Sequence, residues 1–285
     1  MREAKKMKIL ITGAKGMLAH DLIPVLEERH VAIARPREEL DITARDRVYR
    51  SVQELSPDIV INCAAYTQVD KAEGEREKAF LVNGIGVQNL ALACSVSDIP
   101  LCHISTDYVF DGEKGSPYSP FDNTRPVNVY GESKLAGEKY IQWLMNKFYI
   151  VRTSWLYGKG GNNFISTILN LSKDRPEIKV VQDQKGSPTS TVSLSHAVGT
   201  LIETGAYGIY HFTDETGSGI SWYDFAREIV KLSGRDTEII PIRTDEFPRP
   251  AKRPRDSFLD TTFFSLVTGH KPEDWKKALK NYLDS

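Results

Sequence analysis

The stretch "KILITGAKGMLAHDLIPVLE", residues 8–27, decides the fold. An apolar strand pattern leads into the glycine turn Gly13-x-x-Gly16-x-x-Ala19, and a helix-compatible segment follows. A turn of this kind lets a pyrophosphate reach free backbone N–H groups at the start of the helix, where the helix dipole favours an anion. A tight turn without a ligand is the alternative, but its position after the first strand favours a dinucleotide site.

Short runs rich in Val and Ile alternate with helix-compatible segments along the chain. Nearly continuous apolar strands separated by helices predict a parallel sheet that is covered on both faces. The predicted class is therefore α/β, a doubly wound parallel sheet of the Rossmann type. The strands are predicted at 8–12, 30–34, 58–65, 99–106, 148–154, 178–183 and 208–214, and the helices near 17–28, 44–55, 69–97, 131–146 and 163–173.

The local composition of the sequence changes near residue 155. Gly, Asn, Pro and Ser become more frequent, as in "YGKGGNNF" and "DQKGSPTST", and 244–256 is too rich in proline for a regular helix. We predict a dinucleotide-binding Rossmann domain over 1–154 and a smaller C-terminal α/β domain, mainly for substrate binding, over 155–285. Segments near 178–202 are expected to return to the first domain.

The composition is that of an ordinary globular protein. The 285 residues carry a net charge of −1, which argues against general binding to nucleic acid or to an acidic membrane surface. Three cysteines without CxxC spacing and six scattered histidines predict no metal site, and reduced thiols in a cytoplasmic protein. The apolar run before Thr12 is too short for a secretion signal, and no stretch is expected to span a membrane.

Two arginines follow the second predicted strand, at the position that reads the adenosine ribose. An Asp or Glu there favours NAD, whereas an arginine accommodates the 2′-phosphate of NADP. Here the strand ends in Ala34-Arg35-Pro36-Arg37, with no carboxylate at its tip. The sequence therefore favours NADPH, and NADH is the alternative if both arginines are only solvated loop residues.

In "NVYGESKLAGE", residues 128–138, Tyr130 stands four residues before Lys134. Residues i and i+4 share one face of a helix, so a phenol and an ammonium would lie together. The ammonium would lower the pKa of the phenol and make it a better general acid. A simple surface pair is the alternative, so the pair needs support from elsewhere in the chain.

Support comes from "HISTDYVFDG", residues 103–112, where a predicted strand ends in Ser105-Thr106-Asp107. Ligands bind at the carboxyl edge of open parallel sheets. The Thr106 hydroxyl could therefore polarise a carbonyl group while Tyr130 donates the proton. A threonine that only caps the next turn is the alternative.

These motifs, in this order, resemble the extended short-chain dehydrogenase/reductase family. More narrowly, the chain from about residue 8 to 260 resembles its dTDP-4-dehydrorhamnose reductase branch. The segments that carry the resemblance are "NCAAYTQVDKAE" (62–73), "STDYVFDG" (105–112), "YGESKLAGE" (130–138), "VRTSWLYG" (151–158), "DQKGSPTS" (183–190) and "SWYDFA" (221–226). The resemblance implies that Thr106, Tyr130 and Lys134 form the catalytic set.

The resemblance also implies which residues meet the cofactor, and Arg35 joins them from the ribose argument. The implied cofactor set is Gly13, Gly16, Met17 and Leu18 at the pyrophosphate, Asp41 and Ile42 near the adenine, Ala64, Ala65 and Tyr66 along the groove, and Tyr130 and Lys134 at the nicotinamide end. Met17 and Ala19 depart from the family, which often has Gln and Gly there. The family's acidic residue near Pro36 is missing, which agrees with NADPH.

On the substrate side the resemblance implies contacts from Thr106, Asp107 and Trp155. The basic stretch "RPAKRPR" (249–255) could hold a diphosphate, because arginine matches phosphate oxygens in a bidentate way, and Arg253 is its best candidate. A core role for Trp155 and a solvated basic loop are the alternatives.

The implied activity is NADPH-dependent reduction of the C4 keto group of dTDP-4-dehydro-L-rhamnose to dTDP-L-rhamnose, in nucleotide-sugar biosynthesis. Two alternatives stay open. One is another sugar-nucleotide epimerase or reductase of the same fold, and the other is a non-catalytic NADP-binding regulatory subunit. The expected partner is a small sugar nucleotide, without nucleic acid or membrane, and a homodimer is left open.

Overall fold

The computed structural model describes residues 6–285, which form twelve strands and eleven α-helices in alternation. The strands are β1 Lys8–Thr12, β2 Val31–Arg35, β3 Ile59–Asn62, β4 Leu101–Thr106, β5 Phe148–Thr153, β6 Leu156–Tyr157, β7 Glu177–Val181, β8 Lys185–Gly186, β9 Thr189–Ser190, β10 Gly208–His211, β11 Ile220–Ser221 and β12 Glu238–Ile242. The helices are α1 Met17–Glu27, α2 Arg45–Leu55, α3 Val69–Ala72, α4 Arg76–Phe80, α5 Val87–Val96, α6 Val129–Leu144, α7 Phe164–Leu171, α8 Thr191–Ile202, α9 Trp222–Leu232, α10 Thr262–Thr268 and α11 Trp275–Asp284.

Six of the strands form one parallel sheet in the order β10-β5-β4-β3-β1-β2. β2 lies on one side of β1, and the chain then crosses over to form β3 on the other side of β1. The order therefore reverses between β1 and β3, and ligands bind at such a switch point in open α/β sheets. The predicted doubly wound parallel sheet is confirmed.

Helices cover both faces of this sheet, because residues alternate between the two faces along each strand. In β1, Ile9 and Ile11 pack with α1 and α8, whereas Leu10 packs on the opposite side with α2 and α5. The first core contains Leu22, Leu26, Leu194, Val198 and Phe212, and the second contains Val48, Val52, Val60, Leu90 and Ile141. The near-continuous apolar strands of the sequence reflect this burial on both sides.

A smaller unit lies beyond the carboxyl edge of the sheet. Its strands β7 and β12 pair with each other in parallel, and α7, α9 and α11 pack around them. The apolar core of the unit includes Tyr157, Ile165, Ile168, Phe225 and Leu279. It supplies the loops that face the candidate site.

The later segments divide between the two units differently from the prediction. The strand expected at 178–183 corresponds to β7, which pairs with β12 and not with the six-stranded sheet. The helix α8 does pack on α1, and β10 pairs with β5 as the sixth strand. Within 178–202, β7 thus lies outside the six-stranded sheet and α8 packs on α1. The sequence does not specify which strand an apolar segment pairs with, so it does not distinguish β7 from β10.

The helix predicted over 69–97 is broken into pieces. Helix α3 ends at Ala72, and α4, a π-helical segment Leu81–Gly86 and α5 then run almost continuously. This continuous run, Arg76–Val96, is long and apolar enough to cross a membrane by length and composition alone, contrary to the expectation that no stretch would be. More than half of it is buried inside the protein, which is typical of a core helix.

Candidate active site

The loops after β1 and β3 meet at the switch point of the sheet. Gly13 has a φ of +71°, a left-handed conformation that favours glycine. A Cβ atom there would lie 2.6 Å from the Ala64 backbone nitrogen. Both the conformation and the close approach therefore require glycine. The structure brings the predicted cofactor residues Gly13 and Ala64 into direct contact.

The first turn of α1 fits a pyrophosphate. Gly16 is the N-cap residue, and no side chain caps the free N–H groups of this helix end. Met17 and Leu18 follow in the first turn, and the Gly16 N–H bonds the Gly13 carbonyl at 2.9 Å. An uncapped helix start with a glycine turn against it is a ready anion site.

A glycine-rich loop of the smaller unit lies beside this helix end. A Cβ on Gly161 would be 3.2 Å from the Met17 Cβ, and a Cβ on Gly160 would be 3.4 Å from the His20 ring. Asn163 fixes the loop, because its amide donates to the Gly158 carbonyl at 2.9 Å and its side chain caps α7. Met17 therefore contributes its side chain to the contact between the two units.

The adenosine end of the groove carries paired charges. Arg35 ends β2 as predicted, but its guanidinium donates to Glu39 at 2.9 Å, and Arg37 donates to Asp41 at 3.1 Å. The strand itself ends without a carboxylate, as predicted, but the turn brings Glu39 back onto Arg35. Both arginines are exposed enough to exchange these partners for a phosphate.

The turn that holds Asp41 and Ile42 is fixed from beneath. The Asn89 amide donates to the Ile42 carbonyl at 3.0 Å, and Ile42 itself is buried. A Cβ on Gly86 would lie 2.7 Å from the Ile42 side chain, so the π-helical segment packs closely here. Although burial opposes it, hydrogen bonds from Thr43 and Arg37 lower the pKa of Asp41. The charged form is thus favoured near the expected adenine position.

The groove beside β3 is lined by small and fixed groups. Ala64 and Ala65 are partly exposed, and the Tyr66 ring is buried. Asn83 holds the backbone of Tyr66 on both sides, because it accepts from its N–H at 2.8 Å and donates to its carbonyl at 2.9 Å. Asn83 therefore fixes the backbone of Tyr66, and a contact of Tyr66 with the cofactor stays a prediction.

Thr106 ends β4 at the carboxyl edge, as predicted. Its hydroxyl donates to Asp107 at 3.0 Å and accepts from the Tyr108 N–H at 3.2 Å, so the capping alternative is also correct. The Tyr130 phenol lies close enough to the same hydroxyl for the two groups to interact. The structure thus brings two of the three predicted catalytic side chains together.

Helix α6 delivers Tyr130 and Lys134 to this edge. Asn128 caps the helix by accepting from the Gly131 N–H at 2.8 Å, and its amide donates to the Lys252 carbonyl at 2.7 Å. A Cβ on Gly131 would lie 2.1 Å from the Tyr108 carbonyl oxygen. Only glycine allows the helix start to approach the turn Asp107–Val109 after β4 so closely.

The electrostatics of the pair differ from the expectation. Burial raises the pKa of Tyr130 to about 12, although the nearby Thr106 hydroxyl opposes this. Lys134 lies in the interior, where its Nζ donates to the Ile104 carbonyl at 2.6 Å, and burial lowers its pKa to about 8. The prediction that Lys134 lowers the pKa of the phenol is therefore wrong. The lysine donates to the β4 backbone, and burial raises the pKa of the phenol.

Asp107 lies behind Thr106 rather than in open space. It is 2% exposed, and its second carboxylate oxygen accepts from the Ser257 hydroxyl at 2.5 Å. Burial raises the pKa of Asp107 to about 7, against hydrogen bonds from Ser257 and Thr106 that lower it. Its carboxylate therefore orients Thr106 and anchors the basic loop, and a direct contact with substrate stays a prediction.

Arg253 reaches the site, but a carboxylate holds it. Asp70 pairs with Arg253 and also accepts from Arg249 at 2.5 Å. Because of the hydrogen bond from Arg253, the pKa of Asp70 lies well below its usual range. Arg253 also hydrogen-bonds the Tyr108 phenol, whose ring lies 5.8 Å from that of Tyr130. The predicted diphosphate contact stays a prediction.

Trp155 has a different neighbour from the one expected. Its ring stacks on Trp222 with centroids 3.5 Å apart, and its φ of +47° is a left-handed conformation that a tryptophan rarely adopts. A Cβ on Gly186 would lie 2.7 Å from the Trp155 ring. One face of the indole is thus covered by protein, and stacking with a base or sugar stays a prediction.

Sequence reasoning missed several polar residues around the site. Asn62 and His103 are buried inside or at the end of strands, and Asp70 and Ser257 hold the basic loop. A histidine in the middle of the apolar run "LCHIST" is a signal that could have identified one of them. Across residues 6–285, no three His, Cys, Asp or Glu side chains come together as a metal site would need.

Comparison with known proteins supplies the family. The model for the RmlD substrate binding domain matches residues 7–285. The dTDP-4-dehydrorhamnose reductase of Aggregatibacter actinomycetemcomitans is 43% identical over 288 aligned residues, which cover 96% of this chain and 97% of that protein. The chain belongs to the dTDP-4-dehydrorhamnose reductase family.

Two further relatives agree with this family of oxidoreductases. The structure of a dTDP-4-dehydrorhamnose reductase from Bacillus anthracis str. Ames, in complex with NADP, matches with a TM-score of 0.95 at 41% identity, over 98% of this chain and 99% of that chain. A dTDP-4-keto-6-deoxy-D-glucose reductase of Streptomyces niveus is 41% identical over 94% of this chain and 90% of that protein. The predicted resemblance is confirmed.

Proposed function

We propose that this reductase uses NADPH to reduce the C4 keto group of dTDP-4-dehydro-L-rhamnose to dTDP-L-rhamnose. One observation carries the proposal: Thr106 and the Tyr130 phenol lie together at the carboxyl edge of the sheet, which also presents the uncapped start of α1. The family relatives carry that substrate in their names, and one of them is crystallised with NADP.

The residues present fit a dinucleotide. Gly13 leaves no room for a side chain against Ala64, and the α1 start offers free N–H groups. Arg35 and Arg37 lie at the β2 end, where they would accept the 2′-phosphate. When bound, the reduced nicotinamide supplies the hydride.

The side chains of this chain would manage the charge that develops on the C4 oxygen. Tyr130 donates a proton to that oxygen, and its high pKa keeps the phenol protonated at neutral pH. Thr106 donates a hydrogen bond to the same oxygen when its hydroxyl turns from Asp107. Lys134 lies one helical turn from Tyr130. When it is protonated, its positive charge favours the negative charge that develops on the C4 oxygen.

A turnover assay with the purified chain tests the function. With NADPH and dTDP-4-dehydro-L-rhamnose, we expect nicotinamide absorbance to fall by one cofactor per product, and more slowly with NADH. An epimerase would consume no cofactor in proportion to product, and a regulatory subunit would bind NADPH without turnover. Either result would overturn the proposal.

The Streptomyces niveus relative makes a second substrate worth the same assay. That protein is named for reduction of dTDP-4-keto-6-deoxy-D-glucose, a sugar with the same reacting carbonyl. We expect the higher kcat/KM with dTDP-4-dehydro-L-rhamnose, because the other relative and the B. anthracis structure carry that name. The opposite ratio would reassign the substrate but leave the reaction type unchanged.

We also propose a cytoplasmic homodimer. The three cysteines Cys63, Cys94 and Cys102 are free thiols, which suits a reducing compartment. Trp143 on α6 is 72% exposed and lies with Ile85 on an apolar surface formed by α6 and the π-helical segment Leu81–Gly86. Light scattering at several concentrations checks the assembly, and Trp143→Glu is expected to give a monomer. A natural chain that stays monomeric would remove the homodimer.

A further inference from the structure

Behind the site, a line of buried polar side chains connects β1 to Lys134. The Thr12 hydroxyl donates to the side-chain oxygen Oδ1 of Asn62 at 2.7 Å, and the side-chain nitrogen Nδ2 of Asn62 lies 2.9 Å from His103 Nδ1. His103 Nε2 lies 3.1 Å from Lys134 Nζ. All four residues are at most 2% exposed, so solvent cannot replace these partners.

The hydrogen bonds fix the orientation of Asn62. Its side-chain oxygen accepts from the Ala64 N–H at 3.1 Å as well as from Thr12. A backbone N–H can only donate, so the oxygen must face Ala64 and the NH₂ group must face His103. Nδ1 of His103 is therefore an acceptor.

This orientation decides which imidazole nitrogen carries the hydrogen. A neutral histidine with an accepting Nδ1 has its hydrogen on Nε2. Nε2–H then points at Lys134 Nζ, and two donors cannot share one contact. The conflict disappears when the lysine is a neutral amine, which accepts from His103 through its lone pair and donates to the Ile104 carbonyl at 2.6 Å, so the contact favours the amine over the ammonium.

We infer that His103 is a positioning residue for Lys134: held by Asn62 in the Nε2–H tautomer, it directs an N–H at Nζ and disfavours the ammonium form of the lysine. Lys134 then holds its proton loosely and can release it near neutral pH. This role deepens the proposed function, on which its kinetic consequence rests.

Burial also disfavours the ammonium form of Lys134, but the other titratable neighbours do not. Glu138, one turn further along α6, and the Cys63 thiol both favour the charged lysine. Tyr130 lies on the same helix and stays neutral because burial raises its pKa. On β4, His103 and the Ile104 carbonyl are the groups in contact with Nζ. His103 is thus the neighbour whose hydrogen opposes the ammonium.

The chain contains a matched comparison in His211. It is equally buried, but its Nε2 accepts from Arg152 at 3.3 Å and its Nδ1 contacts the Tyr118 carbonyl at 2.9 Å. Its hydrogen must therefore be on Nδ1. Long-range ¹H–¹⁵N NMR of the unloaded full chain, assigned with His103→Gln and His211→Gln, should show opposite tautomers. A hydrogen on Nδ1 of His103 would overturn the inference.

A pH profile of kcat/KM adds a readout that a merely structural role would not move. Activity that needs the ammonium falls as pH rises through the pKa of Lys134, about 8. In His103→Gln a carbonyl oxygen can accept from Nζ, so we expect the alkaline limb to move up by about one pH unit, a tenfold change in proton affinity. His211→Gln should leave the limb in place.

An unmoved limb in folded His103→Gln would contradict the inference. If that variant does not fold, the tautomer in the natural chain decides, since the His103 signals can be assigned by substituting the other five histidines instead. The two failures are also distinguishable, because the tautomer measurement needs no turnover. A chain that reduces no keto sugar but shows the Nε2–H tautomer would remove the proposed function alone.

Discussion

The Tyr130 phenol keeps its proton at neutral pH because burial raises its pKa, and its single oxygen atom carries the proposed proton transfer. Tyr130→Phe removes that atom and keeps the ring. We expect kcat to fall by about 10²–10⁴-fold, the usual contribution of a positioned general acid. The dissociation constant for NADPH should change little.

The control for this substitution is Tyr140→Phe, which removes a phenol ten positions further along α6. It should retain the activity of the natural chain. Stopped assays with both variants and a fluorescence titration of NADPH give the comparison. Undiminished turnover in Tyr130→Phe would exclude the phenol as the acid.

Gly13 combines two reasons for glycine, and substitutions can separate them. Gly13→Ala introduces left-handed strain of about 1–2 kcal/mol and also a clash with Ala64 at 2.6 Å. Gly115 has the same φ of +71° but no atom within 4 Å of an added Cβ. Thermal unfolding should therefore show a larger loss for Gly13→Ala than for Gly115→Ala.

Cofactor binding should separate the two variants further. Gly13→Ala moves the loop that forms the pyrophosphate site, so the affinity for NADPH should fall at least tenfold, whereas Gly115→Ala should bind normally. Titration calorimetry measures both. Equal losses of stability and unchanged binding in Gly13→Ala would show that the close approach to Ala64 is not needed.

The residues of the candidate site differ in how well the sequence predicts their positions. Gly13, Thr106 and Tyr130 were predictable because each lies in a short motif whose chemistry is local. Glu39 and Asp70 were not, since each meets its arginine only after a turn or a long loop closes in space. Ion pairs between distant segments leave no spacing in the sequence.

At the scale of elements, a buried ion pair joins α6 to β5. Arg152 donates to Glu138 at 2.7 Å, and both side chains are at most 3% exposed. Glu138→Gln would leave the arginine charge buried without its partner, which costs about 3–5 kcal/mol. Urea denaturation should show this loss.

An exposed pair provides the contrast. Lys147 contacts Asp98 at 2.6 Å with both side chains largely in solvent, so Lys147→Met should cost less than about 1 kcal/mol. The double substitution Glu138→Leu with Arg152→Met should recover most of the loss, because no charge stays buried. Similar costs for the buried and the exposed single substitutions would contradict this account.

The elements also limit what the sequence predicts. Strands β1 and β3–β5 were predictable within a few residues because they are apolar and largely buried, and the partly exposed edge strand β2 was predictable from its apolar run. The pairing of β7 with β12 was not, since both read as ordinary apolar strands. The break between α3 and α4 was missed because its turn contains only one glycine, Gly74, in an otherwise helical pattern.

At the scale of the whole molecule, buried carboxylates set the response to pH. Asp214 is 1% exposed, one of its oxygens has no hydrogen-bond partner, and burial raises its pKa to about 7. A carboxyl whose pKa is higher in the folded than in the unfolded state holds a proton that the unfolded chain has lost. Its effect on stability therefore becomes unfavourable as pH rises from about 4 to 7.

Asp214→Asn removes this cost above pH 7. The variant should melt at a higher temperature than the natural chain at pH 8, and the difference should shrink at pH 5. Asp98→Asn, which changes a carboxyl whose side chain is 81% exposed, is the control and should follow the natural chain. A pH-independent difference for Asp214→Asn would remove ionisation as the cause.

The sixth strand of the sheet has a consequence for biosynthesis. β10 arrives more than fifty residues after β5, and α8, which covers α1, is also made late. A nascent chain on the ribosome thus carries the complete nucleotide motif and the Tyr130 helix while one side of β5 still lacks its neighbour. Such an open edge invites pairing with another chain, so a gene fragment stopping near codon 154 should yield aggregated product, and chaperones should engage the protein mainly before residue 211 has emerged.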